Sequence, residues 1–227
     1  MKKAILLFSL LTTVFKGNAK PYHQKNELNN RPTIAILAQL ENPQSSYIAA
    51  SYVKFIESAG GRAVLIPTSF DQSVVAELFS YVNGVLYPGG GVTWFTSAYY
   101  KNAKIFYDLA IQANKNGDYF PIWGTCLGFQ ALHVLTANSS GVLSKFDSDD
   151  IPLPLNFTEE ASSSRMFENI SPRLYKILAA ENVTYNHHSY GVAPDEYKNN
   201  PSLDTFYKIL STNYDKKGKE FISMIEG

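Results

Sequence analysis

Cys126 is the only cysteine of the chain, and it stands in Gly124-Thr-Cys-Leu-Gly128 between an apolar run of strand length and a stretch of helical period. A thiol at a sharp strand-to-helix turn, flanked by small residues, stands clear of the backbone and leaves neighbouring amide N–H groups free to face an oxyanion. A helix N-terminus also favours the thiolate, so the spacing predicts a lowered thiol pKa and a reactive nucleophile. An inert core thiol beside glycines chosen for close helix–strand packing is the alternative. That alternative accounts for Gly124 and Gly128 but leaves the place of the thiol unexplained. A second glycine run, Pro88-Gly-Gly-Gly91, follows another strand-like segment. Its amides can face the same point as the Leu127 amide, which makes Gly89, Gly90 and Leu127 the candidate oxyanion donors, against an ordinary flexible turn. Histidine is the expected general base, and the sequence offers His23, His133, His187 and His188. His23 precedes the patterned part of the chain, and His133 sits within the helical stretch, where a partly buried, hydrogen-bonded residue is the plainer reading.

The elements that must hold these residues are legible from period and punctuation. Thr33-Ile-Ala-Ile-Leu37 is a short apolar run suited to a strand buried on both faces. Ile48, Tyr52, Phe55, Ile56 and Ala59 recur at helical spacing, with Ser45-Ser46 as a candidate cap and Gly60-Gly61 as the stop. Ala63–Ile66 reads as a second strand, Val74–Phe79 as a helical patch, Gly84–Tyr87 as a third strand, Tyr99–Asn114 as a helix and Tyr119–Trp123 as a fourth strand. A helix resumes at Leu127. This alternation predicts an α/β fold with a mostly parallel sheet flanked by helices.

With 227 residues, 45% apolar, and Lys plus Arg balancing Asp plus Glu at 20 each, the composition is that of one globular domain without a field to attract nucleic acid or an anionic membrane. Met1–Ala19 reads as a cleavable signal peptide: Lys2 and Lys3 precede the apolar run Ala4–Leu11, and Gly17 and Ala19 suit cleavage. Residues 20–227 are then the α/β domain. Sequons at Asn138, Asn156, Asn169 and Asn182 point the same way, to glycosylation on the secretory route. No metal-ligand spacing or phosphate loop is found, so no metal or other cofactor is expected.

Gly124-Thr-Cys126-Leu-Gly128-Phe-Gln130 resembles the nucleophile elbow of class I glutamine-amidotransferase-like hydrolases, whose fold is a flavodoxin-like sandwich. Within them the chain is most similar to the γ-glutamyl hydrolase family, through Tyr47-Ile-Ala-Ala-Ser-Tyr-Val-Lys54, Pro88-Gly-Gly90, Gly117-Asp-Tyr-Phe-Pro121, Pro154-Leu-Asn-Phe-Thr158 and Ser164-Arg-Met-Phe167. The resemblance implies hydrolysis of γ-linked glutamate from folylpoly-γ-glutamates through a Cys126 thioester, with His188 as a substrate contact. It also implies secreted or lysosomal residence and a homodimer. Members of the family continue past a stretch like Met224-Ile-Glu-Gly227 into a strand with a Gln-Trp-His-Pro-Glu-like motif that holds the catalytic His and its orienting Glu. The sequence stops at Gly227, so no position here inherits those two roles. The readings that follow are a γ-glutamyl hydrolase whose sequence continues, a folate-polyglutamate-binding pseudoenzyme, and a rearranged hydrolase with His188 as base. A general cysteine peptidase or amidase is a further alternative. Arg165 suits a substrate carboxylate, but a surface salt bridge is the ordinary explanation and it is left outside the candidate site.

Overall fold

The structure, a computed structural model, describes residues 30–42 and 45–227. The signal segment Met1–Ala19 and His23 lie outside the described residues. β1 (Thr33–Leu37) ends in Ala35, Ile36 and Leu37, all buried, as its unbroken apolar run requires. β2 (Gln39–Asn42) and β3 (Ser45–Tyr47) pair as an antiparallel hairpin. Ser45 and Ser46 therefore do not cap a helix: their backbone is committed to this ladder. α1 (Ala50–Ser58) starts after Ala49, which makes no side-chain cap bond.

β4 (Arg62–Ile66), α2 (Gln72–Leu78), β5 (Gly84–Tyr87) and α3 (Ala98–Lys115) follow the sequence pattern closely. Ser97 caps α3 by accepting from the Tyr100 amide. β6 (Ile122–Gly124) is shorter and later than the period of Tyr119–Trp123 suggests. The Asn114 side chain takes the reason for this: it bonds both the amide and the carbonyl of Phe120, which holds that residue out of the ladder. α4 (Leu127–Ala137) completes the first half.

β4, β1, β5 and β6 form one parallel sheet in that order, with Ile34 and Ala35 of β1 registered on Ala63 and Val64 on one side and on Gly84 and Val85 on the other. In chain order this is 2-1-3-4, the doubly wound arrangement. Right-handed crossovers place α1 on one face and α2 and α3 on the other. The chain reverses direction across the sheet between β1 and β5, and ligands of such sheets bind at the carboxyl ends of the strands by that point. The core there is Leu37, Ile66, Val85, Tyr87, Tyr99, Phe106 and Ala131, all buried.

The second half is antiparallel. β7 (Ser144–Leu153) and β8 (Asn156–Phe157) are followed by α5 (Pro172–Ala180), whose cap Ser171 accepts from the Leu174 amide and whose first residue is proline. Then come β9 (Thr184–Gly191), α6 (Asp195–Asn199), α7 (Pro201–Phe206), β10 (Lys208–Tyr214) and β11 (Glu220–Glu226). β7 pairs with β9, and β10 lies between β11 and β8. A smaller apolar cluster of Ala161, Phe167 and Leu210, with Phe157 and Tyr175 stacked 4.3 Å apart, lies under the second set.

Candidate active site

The carboxyl ends of β5 and β6 converge on Cys126, and Gln39, just past β1, packs on Gly90 of the same loop. β6 ends at Gly124, the Thr125 amide donates to the Tyr87 carbonyl at 3.0 Å, and Cys126 takes φ 53° and ψ −109° before α4 begins. A non-glycine residue in that region costs about 1–3 kcal/mol and persists only where its surroundings impose it. They do so here. A Cβ on Gly128 would lie 1.9 Å from the Tyr87 carbonyl oxygen, and one on Gly124 would lie 2.6 Å from the Gly128 carbonyl oxygen. The helix is thus jammed against β5, and the turn that permits this leaves Cys126 at the surface, with its thiol partly covered by the loops around it. Packing and thiol placement are one constraint.

The amides of Leu127 and Gly90 both lie close enough to the sulfur to favour its thiolate. They bring together two of the three anticipated oxyanion donors. Gly89 departs from expectation: its amide donates to the Tyr52 hydroxyl at 2.8 Å, because α1 carries that ring into the space beside the loop. A Cβ on Gly89 would meet Tyr52 Oη at 2.8 Å and Cys126 Sγ at 3.7 Å, so the hydroxyl and the thiol flank the same point. Burial also raises the Tyr52 pKa, keeping it a neutral hydroxyl. The thiol pKa is a second correction. Partial burial of Cys126 raises it, and this outweighs the two amides that pull it down.

His188 lies on β9 with its ring edge-on to Phe221 at 4.9 Å and Nδ1 3.0 Å from the Tyr190 carbonyl. A carbonyl only accepts, so Nδ1 carries the proton and Nε2 keeps its lone pair. The same carbonyl accepts from Gln130 Nε2 at 2.8 Å, and the Gln130 amide bonds the Cys126 carbonyl at 3.0 Å. His188 is therefore tied to the first turn of α4, although it makes no hydrogen bond to the sulfur. Burial lowers its pKa, as does the charge of His187. His187 itself is exposed beside Asp149, with Nδ1 2.5 Å from the carboxylate. His133 is fully rather than partly buried, 2.9 Å from both the Phe129 carbonyl and the Tyr197 hydroxyl. Arg165 pairs with Glu226 at 3.8 Å and donates to the Gly227 carbonyl, the surface role. Among the described residues no group of three or more His, Cys, Asp or Glu side chains is placed to hold a metal ion.

Sequence reasoning missed Tyr52, Gln130 and Gln39. Gln39 is 4% exposed, its Nε2 has no hydrogen-bond partner, and its carboxamide fills the space a Cβ on Gly90 would need, 2.7 Å from Cδ. Gly90, at φ 154°, is the residue that can admit it.

Residues 32–143 match the family model of Peptidase C26. Over 216 residues the chain is 44% identical to γ-glutamyl hydrolase of Mus musculus, covering 93% of this chain and 67% of that protein. Over 209 residues it is 41% identical to γ-glutamyl hydrolase B of Dictyostelium discoideum, covering 88% of this chain and 60% of that protein. The chain belongs to the γ-glutamyl hydrolase family. It spans about two thirds of the length of these relatives or less. In fold it is similar to the glutaminase domain of Trypanosoma brucei CTPS solved with bound acivicin, at a TM-score of 0.52 and 14% identity over 86% of this chain and 80% of that one. The class I glutamine-amidotransferase-like architecture expected from the elbow is the one found.

Proposed function

We propose that the chain acts as a cysteine-dependent γ-glutamyl hydrolase on folylpoly-γ-glutamates. The observation that carries this is the convergence of the Leu127 and Gly90 amides on the sulfur of a positive-φ Cys126 in a member of this family. The Cys126 thiolate attacks the γ-amide carbonyl, whose oxygen develops negative charge toward those two amides. The C–N bond then breaks, the amine leaves with the proton given up by the thiol, and water clears the thioester, giving the free γ-carboxylate and restoring the thiol. Because the thiol pKa is raised, a base must take its proton, and a positioned acid/base is worth about 10²–10⁴-fold. His188 contacts substrate through Nε2, the ring nitrogen that the Tyr190 carbonyl leaves free. Gly89 acts through Tyr52, whose hydroxyl accepts from the amide and keeps its own proton to donate. The names of the relatives favour turnover over binding alone.

The test is glutamate release from pteroyl-γ-diglutamate by the purified chain. Cys126→Ala should abolish it and should lose the thioester adduct seen by intact mass in acid-quenched parent protein; release by the variant would remove Cys126 from the mechanism.

The secretory route is part of the same reading. All four sequon asparagines, Asn138, Asn156, Asn169 and Asn182, are exposed, as glycan acceptors must be. No described helix is long and apolar enough to cross a membrane. A mass decrease on treatment with peptide N-glycosidase of the protein from its natural source checks the assignment.

A further inference from the structure

A cavity of about 540 Å³ lies between β7, β9 and the turn joining β10 to β11. Lys145 and Asp147 come from β7, Tyr190 from β9, and Asp215, Lys217 and Lys219 from the turn, with Phe146 also in the wall. The charges on this wall are not equally available. The Asp215 carboxylate is turned into its own loop, where it accepts from the amides of Asp147, Lys217 and Lys219 at 2.8–2.9 Å. Asp147 pairs with Lys217 at 3.4 Å. Lys219 has no carboxylate partner among the described residues: its ammonium lies 4.1 Å over the Phe146 ring and donates to the Lys145 carbonyl at 3.0 Å. No carboxylate among the described residues pairs with Lys145 either. Two cations thus face one cavity without a carboxylate counter-ion among the described residues.

The cavity is joined to the elbow through one residue. The Tyr190 carbonyl holds Gln130, one turn past the nucleophile, while Tyr190 and its neighbour Ser189 line the cavity. A γ-linked glutamyl chain carries a free α-carboxylate on every residue. A chain held at Cys126 that reaches the Tyr190 end of β9 would bring such carboxylates to this wall.

We propose that this cavity is a carboxylate subsite for the poly-γ-glutamate tail, with Lys145 and Lys219 as its cations. The ligand rests on the γ-glutamyl reading above; the site rests on its own charge arrangement. Exposed ion pairs of this kind are worth up to about five-fold in affinity each and weaken with salt.

The full chain carrying Cys126→Ala, which cannot turn substrate over, is titrated with pteroylmonoglutamate and pteroylpentaglutamate. The expected result is tighter binding of the pentaglutamate. Adding Lys145→Ala or Lys219→Ala should weaken it about five-fold each, leave the monoglutamate unchanged, and lose the salt dependence in proportion; Lys145→Arg should restore it. Equal binding of the two ligands, or a length preference that survives both alanine variants, overturns the subsite. Hydrolysis by the unsubstituted chain is scored separately. Turnover without length preference removes only the subsite, and length preference without turnover removes only the hydrolase reading and supports the subsite.

Discussion

At the scale of single residues, the sulfur of Cys126 is governed by two opposing effects of similar origin. The N-terminus of α4 and the Gly90 loop supply N–H groups that stabilise a thiolate, while the protein packed around the side chain removes water that would do so better. Desolvation wins, so the thiol pKa lies above its ordinary value. Alkylation by iodoacetamide should accordingly be slower at pH 7 than for a free cysteine and should rise with pH to an inflection above that of the free thiol. An inflection below it would mean that the helix terminus dominates after all. His133 shows the same physics with the opposite charge. Nδ1 donates to the Phe129 carbonyl and Nε2 accepts from Tyr197, an arrangement that requires the neutral ring, and burial lowers the pKa to about 4. The unfolded chain binds a proton near pH 6.5 and the folded one does not until about 4. Stability is therefore unaffected above the unfolded value and is lost as pH falls through this window, by up to about 3 kcal/mol. Urea midpoints at pH 7 and pH 4.5 should differ less for His133→Phe than for the parent chain, because the variant has no proton to gain there.

At the scale of elements, the junction of β5, β6 and α4 has no spare volume. Gly128→Ala places a methyl group against the Tyr87 carbonyl and must displace backbone, at a cost of about 3 kcal/mol. Gly91 belongs to the other glycine run, but nothing lies within 4 Å of a Cβ built there. Gly91→Ala should shift stability by no more than about 0.5 kcal/mol. Urea denaturation of the two variants tests whether each glycine run is there for contact or only for its turn. Gly89 and Gly90 lie between these extremes, since each faces a side chain, Tyr52 or Gln39, that the loop was shaped to receive.

At the scale of the whole molecule, two apolar clusters of unequal size are buried, the larger shared between the parallel half and Val192, Leu203, Tyr207, Ile222 and Ile225 of the second half, the smaller confined to the second half. Phe106, fully buried and packed with Phe79 and Phe120, anchors the larger. Phe106→Ala should cost about 3–5 kcal/mol, a large share of the stability of an ordinary domain, and should be read out as a lowered urea midpoint by far-UV circular dichroism. Phe167 serves the smaller cluster, with Phe157 at 5.0 Å and Tyr175 at 6.0 Å. Because Glu226 of β11 accepts from the amides of Arg165 and Met166, loosening that cluster is transmitted to the edge of the antiparallel sheet.

The sequence by itself determined what depends on neighbours along the chain. β1, β5, α3 and α4 follow from apolar period and from glycine punctuation, and the elbow from small residues around Cys126, because strand and helix patterns and steric clearance are local. Gly90 and Leu127 were legible as amides near the elbow for the same reason, one in the glycine run after β5 and one at the start of α4 after β6. Tertiary structure decided what depends on residues distant in sequence. Nothing in the spacing of Tyr52 and Gly89 says that one will take the other's amide, and Ser45-Ser46 looks like a cap until β2 pairs with it. The pKa values of Cys126 and His133 are sums over every atom that replaces water around them, and only the folded chain fixes those atoms. The cations Lys145 and Lys219 likewise become one wall only when the turn between β10 and β11 is laid beside β7.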